Sequence, residues 1–250
     1  MRRGEEEAIV LDQRPTGEAD RVVTLLTSAG RRMVAFAPRA ARSRRRFPGG
    51  HEPGAILAVR WRARRGETMP LLEESRVIAP PPRPEPLDRY WATAHLLELA
   101  LGFAREGEDD PRLFRLLRSA LAALAEGMDP RACCRYAELW SLLLAGLFPD
   151  LDACGTCGAS LAGRDVHVVP EQGAFCGEHA PAGAGRLSVD AVRWLVAARH
   201  LPPDRVPQAP PAAARSLADV LPRLVRAFLG RPLRALASWP RAPEADEVTE

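Results

Sequence analysis

Cys154 and Cys157 stand two residues apart, 18 others follow, and Cys176 and His179 are again two residues apart. Each pair can approach one ion from a tight turn, and Gly155, Gly158 and Gly177 give such turns their room. Three sulfurs and an imidazole with no carboxylate favour a single Zn2+ in a closed tetrahedron. Four protein ligands leave no coordination position for water or substrate, so the zinc is expected to be structural. Use of Cys154 and Cys157 as a thioredoxin-like redox pair would need a strand before them and a helix starting at them, whereas a loop, FPDLDA, leads in. Deaminase zinc sites couple a His-x-Glu to a later cysteine pair, and no His-x-Glu occurs here. Glu178 is therefore expected to be solvated or to sit beside the ligands, and His167 to be a surface residue of a short hairpin outside the ligand set. Cys133 and Cys134 are adjacent on a helix, and one is expected to face the core as a small hydrophobe.

The second chemical resource is arginine. All 35 basic residues are arginine, and residues 1 to 80 hold 16 of them against 10 acidic residues, a net +6 inside a chain whose total is only +3. Arg39, Arg42, Arg44, Arg45 and Arg46 crowd one polar segment, APRAARSRRRF. Arg60, Arg62 and Arg64 alternate with Leu57, Val59 and Trp61, as a strand with one dry and one basic face requires, and Arg31 with Arg32 opens another run. Together these residues suggest one electropositive surface whose guanidinium groups donate to phosphate. An ordinary solvated rim is the alternative. Aromatic residues are scarce here: Phe36, Phe47 and Trp61. Alternation sends Trp61 to the core, and Phe47, beside Pro48 and two glycines, is the better candidate for exposure and stacking. Binding should rest on phosphates, show little sequence preference and weaken with salt.

No other group of residues forms a catalytic set. There is no Gly-rich phosphate loop with Lys, no nucleophile elbow and no carboxylate pair in a setting that would perturb it. His95 lies in an apolar helical pattern and is expected to be a core residue. The chain is not expected to be an enzyme.

The elements that must position these groups follow from period and punctuation. Five short runs, EAIVLDQR, RVVTLLTS, RRMVAFAPR, GAILAVRWRAR and TMPLLEESRVI, are divided by turn-forming residues. Five strands in about 75 residues suggest a small barrel, for which the oligonucleotide-binding (OB) fold is the usual five-strand solution. An OB-fold DNA-binding domain is assigned to 1–79. APPPRPEP cannot continue a strand or helix, so 80–86 is a proline-rich linker. The period then changes to 3.6, with helices expected over 87–105, 111–126 and 130–147, and after the cysteines over 188–200 and 213–229. Pro222 should kink or break the last of these. The division is 87–149 and 182–240 for two parts of a helical domain, 150–181 for a zinc-binding insertion, and 241–250 for an acidic tail. The fold class is α+β and multidomain. No run approaches the roughly 20 apolar residues a spanning helix needs, and three glutamates follow the initial arginines where a signal peptide would be apolar. Four of the five cysteines fall within residues 133 to 157, unlike a secreted disulfide framework. A cytoplasmic location is expected.

The order of these parts resembles the RecO family of bacterial DNA repair proteins. The likeness is carried by DQRPTGEADRVVTLLTSAGR (12–31), VAFAPRAARSRRR (34–46), GGHEPGAILAVRW (49–61), the knuckles at 154–179 and LGRPLRALASW (229–239). It implies a non-enzymatic recombination mediator of the RecF pathway, acting at the nucleoid after DNA damage. Such a protein binds single- and double-stranded DNA, anneals strands, associates with RecR, engages the acidic C-terminal tail of single-stranded DNA-binding protein, and helps RecA onto coated strands. Many members have Lys-Gly where this chain has Pro38-Arg39, and many complete the metal site with a fourth cysteine where it has His179. Before the resemblance is counted, the same features also fit a zinc-containing RNA-binding or translation-associated protein, or a structural adaptor.

Overall fold

The computed structural model describes residues 1–64, 66, 69–104 and 109–240. The expected acidic tail, 241–250, lies outside the described residues. Five strands come first: β1 (Arg2–Thr16), β2 (Asp20–Thr27), β3 (Arg32–Ala37), β4 (Ile56–Ala63) and β5 (Leu71–Ala79). They close into a barrel in the order β1-β2-β3-β5-β4, with β4 returning to β1 and β3 meeting β5 in parallel. This is the five-stranded barrel of the OB fold. Ala8, Val10, Val23, Leu25, Leu57, Val59 and Leu72 fill its interior. Trp61 lies half-buried at its end over Gly4, where any side chain would collide with the indole, and its Nε1–H donates to Glu6 Oε1 at 3.0 Å.

β1 is apolar on both faces where it reads AIVL. Ala8 and Val10 point into the barrel, while Ile9 and Leu11, with Leu26 and Ile56, belong to the core of the helical region. That second face is what joins the two cores. The helices are α1 (Leu87–Phe103), α2 (Pro111–Ala125), α3 (Pro130–Leu144), α4 (Val189–His200), α5 (Pro211–Leu229) and α6 (Arg234–Ser238). Asp110 and Asp129 cap α2 and α3 by accepting backbone N–H groups, and proline occupies the first helical position of each. Of the kink or break expected at Pro222, the break does not occur, since α5 runs through it. The carbonyl that loses its donor belongs to Ala218, which is exposed to water. Leu217, Val220, Leu221, Leu224 and Val225 meanwhile stay buried along the packed face. Among the described residues no helix is long and apolar enough to cross a membrane.

Between α3 and α4 lies a three-stranded sheet in the order β7-β6-β8, from β6 (Val166–Val169), β7 (Gly173–Phe175) and β8 (Gly185–Leu187). The hairpin of β6 and β7 was expected; β8 was not. Three residues are too few to show a period, and β8 is fixed by packing. A Cβ on Gly185 would stand 2.9 Å from Val220 of α5, so glycine there lets the sheet lie against the helix.

Candidate metal centre and nucleic-acid surface

The four residues with ligand spacing come together. The donor atoms of Cys154, Cys157, Cys176 and His179 all lie within 4.8 Å of one another, with Cys154 and Cys176 buried and Cys157 and His179 exposed. Two turns build the cluster. The Gly158 N–H donates to the Cys154 carbonyl at 2.8 Å, with Gly158 at a positive φ of 69° that suits glycine. The His179 N–H reaches the Cys176 carbonyl at 3.2 Å, and the Cys176 sulfur lies 3.2 Å from His179 Nδ1. The Gly155 N–H ties the first turn to Ala174 of β7 at 2.8 Å. The backbone N–H groups of Cys157 and Cys176 push the Cys154 thiol down to about 6, which favours the thiolate that binds metal. This donor set could hold one metal ion. Cys133 and Cys134 are both buried, correcting the expectation that only one would be. α3 is enclosed on more than one side, so adjacent positions can both be covered; burial pushes the Cys133 thiol up to about 12.

The arginines divide into three groups. Arg39, Arg42, Arg44 and Arg45 are exposed on the loop between β3 and β4. Among the described residues, the side chains of Arg39, Arg44 and Arg45 meet no carboxylate, and Arg42 has only Glu18 at 3.8 Å. Arg46 is half-buried, donates to the Pro38 carbonyl at 2.7 Å and lies over the Phe47 ring at 5.2 Å. A cavity of about 330 Å3 opens beside this loop, bounded by Arg42, Arg44, Gln13 and Arg21. Arg21 was not singled out from sequence, because an arginine opening a strand carries no signal of its own.

The second group, on β4, is compensated. Arg60 pairs with Glu74, and Arg62 with Glu73 at 3.1 Å; Arg64 is exposed beyond them. Arg31 and Arg32, the third group, serve the seam with the helices. Arg31 holds Asp109 through two bonds of 2.9 and 3.0 Å, and Arg32 donates to the Leu101 carbonyl at 3.3 Å. Gly30 is pressed so closely on Asp110 that a Cβ would fall 1.9 Å from its carbonyl oxygen. Of the three expected groups the loop is the least compensated, since the β4 arginines pair with glutamates and Arg31 with Asp109.

Phe47 also differs from expectation. It is 3% exposed and forms part of the barrel core. Its ring lies 5.1 Å from that of His51, which is buried in turn and 3.2 Å from Ser75 Oγ. Phe47 is the floor of the arginine loop and not a platform for bases. The neighbouring proline and glycines that suggested exposure instead bend the chain over the barrel end.

His95 is buried, as expected, but in charged company: its Nε2 is 2.9 Å from Glu138 Oε1, and Arg135 Nη2 is 2.9 Å from the same oxygen.

These features define an OB-barrel protein that presents an uncompensated arginine loop, joined to a helical region carrying a metal-capable Cys3His cluster. Comparison with known proteins assigns it further. Residues 1–81 match the family description "Recombination protein O N terminal" and residues 84–237 match "Recombination protein O C terminal". The chain is 36% identical over 243 residues to the DNA repair protein RecO of Anaeromyxobacter dehalogenans, covering 94% of this chain and 95% of that one. It is 36% identical over 177 residues to that of Myxococcus xanthus, covering 70% and 72%, and 31% identical over 245 residues to that of Frankia casuarinae, covering 95% and 98%. The chain belongs to the RecO family of DNA repair proteins.

Proposed function

We propose that this chain is a recombination mediator. It holds single- and double-stranded DNA on the barrel, promotes annealing of complementary strands, and assists RecA loading together with RecR at the nucleoid. The observation that carries this reading is the set of exposed arginines at 39, 42, 44 and 45, of whose side chains Arg42 alone meets a carboxylate, Glu18 at 3.8 Å, among the described residues. Releasing the counterions that phosphates hold drives such binding. Annealing then needs no bond-making residue: two strands held on one surface are less repelled and locally concentrated, and base pairing supplies the driving force. Residues 1–79 form the DNA-binding part, 80–86 the linker, and 87–149 with 182–240 the helical part. The acidic tail of single-stranded DNA-binding protein would be taken by that helical part. A cavity of about 260 Å3 at its edge with the barrel sets Phe103, Leu113, Leu144 and Phe228 beside Arg112, which is paired with Asp110.

The ion held by the insertion at 150–181 is taken to be one Zn2+, whose work is to tie the two turns together. Elemental analysis is expected to give one zinc per chain and to lose it in Cys154→Ser and Cys176→Ser; unchanged zinc in either variant would overturn the ligand set. The function is tested by anisotropy of labelled single-stranded DNA over a salt series, followed by an annealing assay. Affinity falling linearly in log-log form with salt, and faster annealing, are expected. Absence of any salt-dependent binding would leave an adaptor, and clear preference for ribose-bearing strands would favour an RNA-binding role.

A further inference from the structure

β3 carries an aromatic residue that neither core uses. Met33, Ala35 and Ala37 are buried in the barrel, whereas Arg32, Val34 and Phe36 alternate with them on the outer face, half-buried. Phe36 packs in neither the barrel core nor the helical core. Among the described residues no other ring and no guanidinium lies against it. The strand register shows what does surround it. Val22 of β2, Phe36 of β3, Leu71 of β5, Arg62 of β4 and Arg3 of β1 are successive ladder partners, forming one row round the outside of the barrel. The Phe36 N–H is fixed to the Pro70 carbonyl at 2.8 Å, and Met69 next to it is 41% exposed.

We propose that Phe36 is a base-stacking platform for single-stranded DNA; this rests on the DNA-binding reading given above. Two facts select a nucleic acid strand over an apolar protein partner. The apolar stretch is small: Phe36 and Leu71, with half-buried Val34 and nearly buried Val22 on the same face and Met69 at the margin, an area that suits one base and not the length of a helix. It is also bracketed by cations. Arg39 and Arg42 follow Phe36 on the same chain, and Arg62, paired with Glu73, and exposed Arg3 lie two and three strands away, the nearer at about 10 Å for strands spaced by 4.8 Å. The β2–β3 face is, in addition, the surface that OB barrels offer to oligonucleotides. A base lying flat on the ring would leave its phosphates to the loop arginines on one side and to β4 on the other.

The test compares a labelled oligo-dT strand with an abasic strand of equal length, over a salt series, for the full chain and for Phe36→Leu, Phe36→Tyr and Phe36→Trp. Stacking on one aromatic residue is worth about 1–3 kcal/mol per base, so Phe36→Leu should bind oligo-dT at least about fivefold more weakly. Its salt slope and its affinity for the abasic strand should stay unchanged, and Phe36→Tyr should restore binding. Phe36→Trp should add an emission that oligo-dT quenches and the abasic strand does not, a readout independent of how well the leucine variant folds. Equal oligo-dT affinity in wild type and Phe36→Leu, with the salt slope intact, would overturn the stacking role while leaving phosphate binding in place. Loss of salt-dependent binding by the wild type itself would overturn both.

Discussion

The loop at 39–46 carries five arginines and strand β4 two, and the two sets occupy different electrostatic settings. On β4, Arg60 and Arg62 lie beside Glu74 and Glu73 of the neighbouring strand, so much of their charge is answered within the barrel. On the loop, the side chains of Arg39, Arg44 and Arg45 pair with no carboxylate among the described residues, and Asp20 is engaged by the Arg39 backbone N–H. Both groups are largely exposed, so neither set of contacts adds much to stability. The difference lies in availability: an arginine already paired must exchange one anion for another, while an unpaired one gains the full interaction with phosphate. Counting arginines does not locate a binding surface; counting what faces them does.

The support beneath the two regions differs as well, and this gives the largest expected effect. β4 is held by its ladders, whereas the loop rests on Phe47 and His51. Burial, aided by Arg21, pushes His51 down to about 4, against an ordinary value of 6.5. The unfolded chain therefore takes up a proton on His51 below pH 6.5 that the folded barrel resists until about pH 4. Stability is unaffected by this group above pH 6.5 and declines as pH falls through that window, by up to about 3 kcal/mol. Denaturant melts at pH 7 and 4.5 should show the drop, and His51→Gln should flatten it; an equally steep profile in the variant would separate the loop from its supposed floor.

Next in size is the loop itself. Changing Arg42, Arg44 and Arg45 together to alanine should weaken single-stranded DNA binding by on the order of 50-fold at physiological salt and lower the log-log salt slope by about 2. The matching β4 change, Arg60→Ala with Arg62→Ala, should cost less than about fivefold, because each of these arginines is already paired with a glutamate and offers less to phosphate. Equal losses in the two variants, measured by anisotropy, would break the distinction drawn between the regions. The smallest effect sharpens it: Glu73→Gln with Glu74→Gln should free the β4 arginines and tighten binding about two- to fourfold at low salt, with the gain disappearing at high salt.

What could be read from sequence was local. The barrel's strands, the 3.6-residue period from Leu87 onward and the proline and aspartate helix starts all express preferences of neighbouring residues. The ligand quartet at 154, 157, 176 and 179 was legible for the same reason, since two-residue spacing within a turn sets where side chains can meet. The failures were all of one other kind. Phe47 was the better candidate for exposure because of its immediate neighbours, and of the kink or break expected at Pro222 the break is absent from a helix that its packed face keeps whole.

The sequence by itself therefore determined the barrel, the helices, the metal-capable knuckle and the excess of positive charge at the front of the chain. Only the tertiary structure decided which arginines that excess belongs to. Arg31 finds Asp109 78 positions away, and Arg60 finds Glu74 across a strand pair. It also decided which aromatic residue the barrel leaves outside, Phe36 and not Phe47. The physical reason is range: period, turn and cap act over a few residues, whereas charge compensation and burial depend on whatever the fold brings alongside.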